Sequence, residues 1–212
     1  MTYYVKEIFY TLQGEGAQSG RVAVFCRFAG CNLWSGREED RDTAVCQFCD
    51  TDFILRKNED EGKYANAKDL ATKIDSYWPS NILGGQKFVV CTGGEPLLQL
   101  DHALIAALKD YGFQIAVETN GTILAPQGID WICVSPKEGA ELVQQKGDEI
   151  KIVFPQLGLD PASFEELDFS YYFLQAMDSC NAKNDLQETI KYCLEHPKWR
   201  LSMQTHKTIG IR

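Results

Sequence analysis

Three cysteines stand where metal chemistry is possible: Cys31, then Cys46 and Cys49, with fourteen residues in the first interval and two in the second. Thiolates hold zinc ions and iron–sulfur clusters, and a close pair can also cycle as a redox dithiol. A structural zinc ion takes four ligands, and no second close pair is present to supply them. A thioredoxin-like dithiol sits at the start of a helix in a βα unit, whereas Cys49 runs into "DTDF" and Cys31 is left over. Three thiolates that leave one position open suit a cluster with an iron free for an external ligand. The spacing by itself leaves cluster and zinc open.

A second candidate is "TGGEP", residues 92–96, directly after the apolar run "KFVVC". Paired glycines let the backbone approach a ligand closely, and Glu95 can accept from an ammonium group. A plain glycine turn with Pro96 opening the next helix reads the same way.

These groups need a frame. Apolar runs at 22–29, 87–92, 113–119, 131–136, 149–154, 171–176 and 200–206 predict strands, and they alternate with helical patterns from about residue 66, the sign of βα units around a parallel sheet. "NDLQETIKYCLEHP" predicts a helix capped by Asn184, with Leu186, Ile190, Cys193 and Leu194 on its packed face and Pro197 as its stop. "LDHALIAALKDYG" predicts another, with Leu104, Ile105 and Leu108 inward, His102 exposed and Gly112 at the end. Residues 30–63 lack sustained periodicity and carry the cysteine triad, so they are expected to form a long functional loop.

Alternation within a strand puts Val22, Val24, Cys26 and Phe28 on one face and Ala23, Phe25 and Arg27 on the other, which makes Cys26 a packing residue. Polar residues recur at the C-terminal ends of the runs: Arg27, Thr92, Glu118, Ser135, Gln175 and His206. Ligands of α/β sheets bind at those ends, so a polar pocket is expected there.

At 212 residues the chain suits one domain that buries roughly 70% of its unfolded surface. A net charge of −9 and the absence of a basic run argue against a non-specific nucleic-acid binder. There is no apolar run of transmembrane length, and the N-terminus lacks the pattern of a secretory signal; a cytoplasmic location is expected.

In order along the chain, "FYTLQGEG", "VFCRFAGCNLWSG", "CDTDF", "TGGEP", "ETNG", "SPK" and "FLQAMD" resemble the 7-carboxy-7-deazaguanine synthases of the radical S-adenosylmethionine superfamily, over nearly the whole length. The superfamily more often has three residues between its first two cysteines, so the fourteen here mark a long-loop variant. The resemblance implies a partial (βα) barrel of about six parallel strands with the cluster loop after the first of them. It implies that 6-carboxy-5,6,7,8-tetrahydropterin contracts its pyrazine ring and loses ammonia to give 7-carboxy-7-deazaguanine, a queuosine precursor. The cofactors it implies are a 4Fe-4S cluster, S-adenosylmethionine and Mg²⁺.

By the same resemblance Cys31, Cys46 and Cys49 ligate the cluster, and Phe48, Asp50, Gly94 and Glu95 meet the cofactor near it. Ser135, Pro136 and Lys137, then Gln175, Ala176, Met177 and Asp178, hold its ribose and adenine. Leu12, Gln13 and Gly14 face the pterin edge, Arg27 pairs with the substrate carboxylate, Thr92 adds a hydroxyl and Thr51 holds Mg²⁺. The tail 205–212 closes over the pocket, with His206 and the end carboxylate of Arg212 toward the substrate. The implied partners are the small pterin, a second copy in a homodimer and an electron donor such as flavodoxin, with no nucleic acid or membrane. Other readings of the same residues are a glycyl-radical activase, which shares the cluster and "GGEP", and a zinc-stabilised binding module.

Overall fold

A computed structural model of the chain describes residues 1–55, 62–81 and 84–212. Among these, nine strands form one sheet: β1 (Tyr3–Leu12), β2 (Val22–Phe28), β3 (Lys63–Tyr64), β4 (Phe88–Gly93), β5 (Gln114–Thr119), β6 (Trp131–Val134), β7 (Lys146–Phe154), β8 (Asp168–Ala176) and β9 (Arg200–Ser202). Their order is β3-β1-β2-β4-β5-β6-β7-β8-β9. From β2 through β9 every neighbouring pair is parallel, while β1 runs antiparallel to both β2 and β3. The sheet curls into a partial barrel: beyond β1, the Gly14 carbonyl accepts from the amide of Thr205, just past β9, at 3.0 Å, and the Gly16 amide donates to Oγ of Ser202, the last residue of β9, at 3.0 Å.

Each strand divides its residues between two environments. On the outer face Val24, Cys26, Phe28, Val89, Cys91, Ile115 and Val117 are buried against α1 (Ala67–Ser76) and α2 (His102–Asp110), which contribute Leu70, Ile74, Leu104 and Leu108. Farther round, Ile150, Ile152 and Leu174 pack with Trp199 beneath α3 (Ala182–Glu195). On the inner face Phe9, Ala23, Phe25, Phe88, Val90 and Ala116 plug the N-terminal end of the barrel. One pleat step on, the inner residues become Arg27, Thr92 and Glu118, so the interior turns polar toward the strand C-termini. This places Cys26 as its alternation required, fully buried among hydrophobes.

The sequence pattern does not reveal β1, because its apolar residues shift phase between Val5 and Ile8; a register irregularity lies between Val5 and Glu7. The cysteine loop follows β2, the first of the parallel strands, as expected. Two expectations need correction. The run at 200–206 is strand only over Arg200–Ser202, and Thr205–Ile209 forms a short helix, α4, that carries His206. Finally, α3 starts at Ala182 with Asn181 as its cap residue, and Leu194 is 80% exposed. Each i+4 step overshoots a full turn by about 40°, so a stripe through Leu186 and Ile190 has rotated away from the sheet by Leu194.

The segment 30–63 is a loop over most of its described length, with a 3-10 turn at Glu38–Thr43 and β3 at its end. Its residues 56–61 lie outside the described part. His102 is exposed, and Gly112, with φ +80°, closes α2. No described helix is long and apolar enough to cross a membrane.

Candidate active site

A cavity of about 630 Å³ opens at the C-terminal ends of the parallel strands. Arg27, Thr92, Glu118, Ser135 and Gln175 reach it from β2, β4, β5, the end of β6 and β8, and His206 reaches it from α4. Cys31, Cys46 and Cys49 are on the same wall.

The cysteine loop is fixed by its backbone. The Val45 and Cys46 amides both donate to the Leu33 carbonyl, at 3.1 and 3.3 Å, folding the second cysteine back toward the first. The Leu33 amide donates to Cys31 Sγ at 3.4 Å. A hydrogen bond between Cys46 and Cys49 pushes the Cys46 thiol up and holds Cys49 below its ordinary value against the effect of burial. Burial raises Cys31 despite the Leu33 and Trp34 amides. Three cysteines lining one cavity supply three thiolates, the number that holds a cubane cluster with one iron open, whereas a structural zinc ion takes four ligands.

The "TGGEP" turn abuts this loop. The Glu95 amide donates to the Gly30 carbonyl at 2.9 Å, and a Cβ built on Gly94 would collide with that carbonyl oxygen and with Cys31 Cβ. Only glycine lets the two backbones lie so close. Gly94→Ala is therefore expected to displace Cys31, at a cost of about 1–3 kcal/mol of overpacking. Iron content after anaerobic reconstitution, read beside a thermal melt, checks this; full iron at unchanged stability would contradict it.

Glu95 does not lie on the cavity surface. It is fully buried, with Oε1 accepting from the Leu97 amide (2.9 Å) and Thr119 Oγ1 (2.8 Å) and Oε2 from the Asn120 amide (2.8 Å). Burial pushes its carboxyl up, opposed by these donors. The structure thus makes Glu95 a brace behind the wall. What it braces is Asn120, which lines the cavity and donates to Asn32 Oδ1 at 2.9 Å, beside Cys31. Pro136 is likewise buried and off the wall, while its neighbours Ser135 and Lys137 are on it. Lys137 Nζ donates to the Ser135 carbonyl and Oγ, both at 2.7 Å.

Leu12, Gln13, Gly14, Phe48, Asp50, Thr51, Gly94, Ala176, Met177, Asp178 and Arg212 all line the cavity, so the structure brings together residues from both ends of the chain. Arg27 is anchored through Nε to Glu7 Oε1 at 2.8 Å, and Arg212 Nη2 meets the other Glu7 oxygen at 2.6 Å. Thr11 Oγ1 donates to the Arg212 main-chain oxygen at 2.9 Å. Lys207 Nζ bridges Asp50 (2.8 Å) and Asp178 (2.5 Å), tying α4 to the cysteine loop and to the segment after β8.

One buried charge cluster was not assigned from sequence. Lys151, in β7, lines the cavity with its Nζ 2.5 Å from Glu15 Oε2 and 3.7 Å from Glu118 Oε1. Glu118 in turn accepts from Gln13 Nε2 (2.9 Å) and Thr92 Oγ1 (3.0 Å), and Gln204 Nε2 donates to Glu15 at 3.0 Å. Burial works against both members of the pair, yet each carries its charge. The Lys151 ammonium beside Glu15, with the hydrogen bonds from Lys151 and Gln204, holds that carboxyl well below its ordinary value, and Glu15 and Glu118 hold Lys151 well above its own. The signal was present in the strand alternation, which sets Lys151 opposite Ile150 and Ile152, but the partner lies 136 residues away.

No protein-family model matches the chain. It is 60% identical over 213 residues to the 7-carboxy-7-deazaguanine synthase of Caulobacter vibrioides, covering 100% of both chains. It is 58% identical over 212 residues to the protein of that name from Bradyrhizobium diazoefficiens, again with 100% of each covered. Similarity extends to Bacteroides thetaiotaomicron, at 40% identity and 98% coverage of both. Among solved structures, QueE from Escherichia coli superimposes with a TM-score of 0.69 and 26% identity, over 96% of this chain and 94% of that one.

Proposed function

Since the chain belongs to the 7-carboxy-7-deazaguanine synthase family, we propose that it converts 6-carboxy-5,6,7,8-tetrahydropterin to 7-carboxy-7-deazaguanine with loss of ammonia, at the cavity described above. The observation that carries this reading is the convergence of three thiols and the polar strand ends on one cavity, in a chain of that family. When bound, a reduced 4Fe-4S cluster and S-adenosylmethionine supply one-electron cleavage of the cofactor and with it hydrogen abstraction from the substrate.

Everything else is the work of the chain. Cys31, Cys46 and Cys49 would hold the cluster through their thiolates, with the Gly94 backbone packed against the Cys31 turn. Phe48, Asp50, Ser135, Lys137 and the 175–178 segment surround the nucleoside. Across the cavity Arg27, held by Glu7, offers its planar guanidinium to the substrate carboxylate, a bidentate geometry that lysine does not match. Gln13 and the Leu12–Gly14 backbone face the pyrimidine edge. Thr92 and Glu118 sit between the two ends. The Thr51 hydroxyl is suited to Mg²⁺, a hard cation that binds through oxygen and orients a carboxylate. Around α4, Lys207 and His206 close the tail over the bound ligands and keep water from the reacting carbons. The protein acts in the cytoplasm as a single-domain chain in a homodimer, with an electron carrier such as flavodoxin as reductant.

The deciding experiment is anaerobic turnover of the carboxytetrahydropterin with S-adenosylmethionine, dithionite and Mg²⁺, followed by chromatography for the deazaguanine acid. Product is expected only when the pterin, S-adenosylmethionine and dithionite are all present, and chelation of Mg²⁺ is expected to slow its formation. A reconstituted protein with a full cluster and no product would overturn the reading.

A further inference from the structure

The fourteen residues between Cys31 and Cys46 pose a physical problem. A long flexible spacer costs more closure entropy than a short one, so it does not bring its cysteines together unless it is folded. The structure shows what folds it. Trp34 is 6% exposed and meets Phe53 edge-on with ring centroids 5.6 Å apart, and its indole N–H donates to the Arg37 carbonyl at 3.1 Å. Ser35 Oγ donates to Asp40 Oδ2 at 2.5 Å, closing the entry to the Glu38–Thr43 turn. That turn presents Arg41. Its guanidinium stacks over the Trp34 ring at 4.0 Å and is gripped by both Glu38 oxygens, at 2.7 Å from Nε and 2.6 Å from Nη2. The remaining terminal nitrogen, Nη1, donates to the Gln47 carbonyl at 2.7 Å and the Cys49 carbonyl at 3.1 Å.

We propose that Arg41 is a positioning residue for the cluster: its fork clamps the Cys46–Cys49 turn through the Gln47 and Cys49 carbonyls, while its charge lies beside the cluster's protein ligands. The inference rests on the cluster reading above and extends it to a residue that contacts neither cofactor nor substrate. Each part of the guanidinium has a separate duty. Its face binds Trp34, one edge binds Glu38 and the other holds the cysteine turn. A lysine keeps the charge but has no planar fork with which to do all three. The charge matters on its own account, because net charge and hydrogen bonding around a cluster set its reduction potential.

The test compares the wild-type chain with Arg41→Lys and Arg41→Met after anaerobic reconstitution with iron and sulfide. Two quantities are read: the rate at which an iron chelator bleaches the cluster, and the midpoint potential from a redox titration followed by electron paramagnetic resonance. Arg41→Met is expected to lose iron on the order of tenfold faster, the lower end of what removing an outer ligand support costs. Its potential is expected to move negative, since a cation favouring the reduced cluster is gone. Arg41→Lys is expected to restore the potential and leave iron loss fast, a split that simple loosening of the fold would not produce. Equal iron retention in all three chains, or full retention in Arg41→Lys, overturns the clamp. A wild-type chain that takes up no iron overturns the cluster reading instead, and the clamp with it.

Discussion

Cys46→Ala is expected to yield a protein with most of its iron lost and turnover reduced on the order of a thousandfold or more, the scale of deleting a group the chemistry cannot do without. Cys26→Ala is expected to keep both. The two thiols are both buried, at 5% and 0% exposure, so burial does not separate them. Surroundings do. Cys46 lines the cavity in the same loop as Cys49, so its sulfur faces space that a ligand can fill. Cys26 lies among Val24, Phe28 and Cys91 on the outer face of the sheet, packed against hydrophobes and off the cavity. Removing its sulfur leaves a small void, worth about 1 kcal/mol. Iron and sulfide assays with product chromatography check both variants. Cys46→Ala that retained iron and turned over normally would refute the ligand assignment.

Lys151→Met is expected to destabilise the fold by about 3–5 kcal/mol at neutral pH, because breaking a buried pair from one side leaves an uncompensated charge. For a chain of this length that lowers the melting temperature by roughly 10 °C. The charges left behind are Glu15 and Glu118, both turned toward the vacated ammonium position, with Glu149 and His206 nearby. The pH dependence has a definite sign. Glu15 has its folded pKa depressed below 4.5, so its stabilisation is fully present above that value and is lost as the pH falls toward the folded pKa. In Lys151→Met the depression is removed, so the acid loss shrinks and the two melting curves converge on acidification. Thermal melts across a pH series measure this. An unchanged melting temperature at neutral pH would show that the pair contributes nothing. Turnover is expected to fall as well, because Glu15 and Glu118 lose the charge that orients them at the cavity.

What was legible in the sequence shares one physical property: it depends on residues close along the chain. Strand alternation separated Cys26 from Arg27 and lined up the polar strand ends, because successive side chains must point to opposite faces. Helix periodicity placed Leu104, Ile105 and Leu108 inward for the same kind of reason. The same local reading missed β1, whose pleat is interrupted by a register irregularity, and drew the α3 stripe through the exposed Leu194.

By itself, then, the sequence determined the parallel strands, the packing cysteines and the residues crowding the strand C-termini, since those follow from periods of two and 3.6 and from motif order. Only the tertiary structure decided that Glu95 braces Asn120 from behind the wall, that Lys151 is paired with Glu15, and that Lys207 joins Asp50 to Asp178. Those contacts join residues 25, 136, 157 and 29 positions apart, and their existence depends on how far the sheet curls. No local period encodes that curvature; it is set by the packing of the whole barrel.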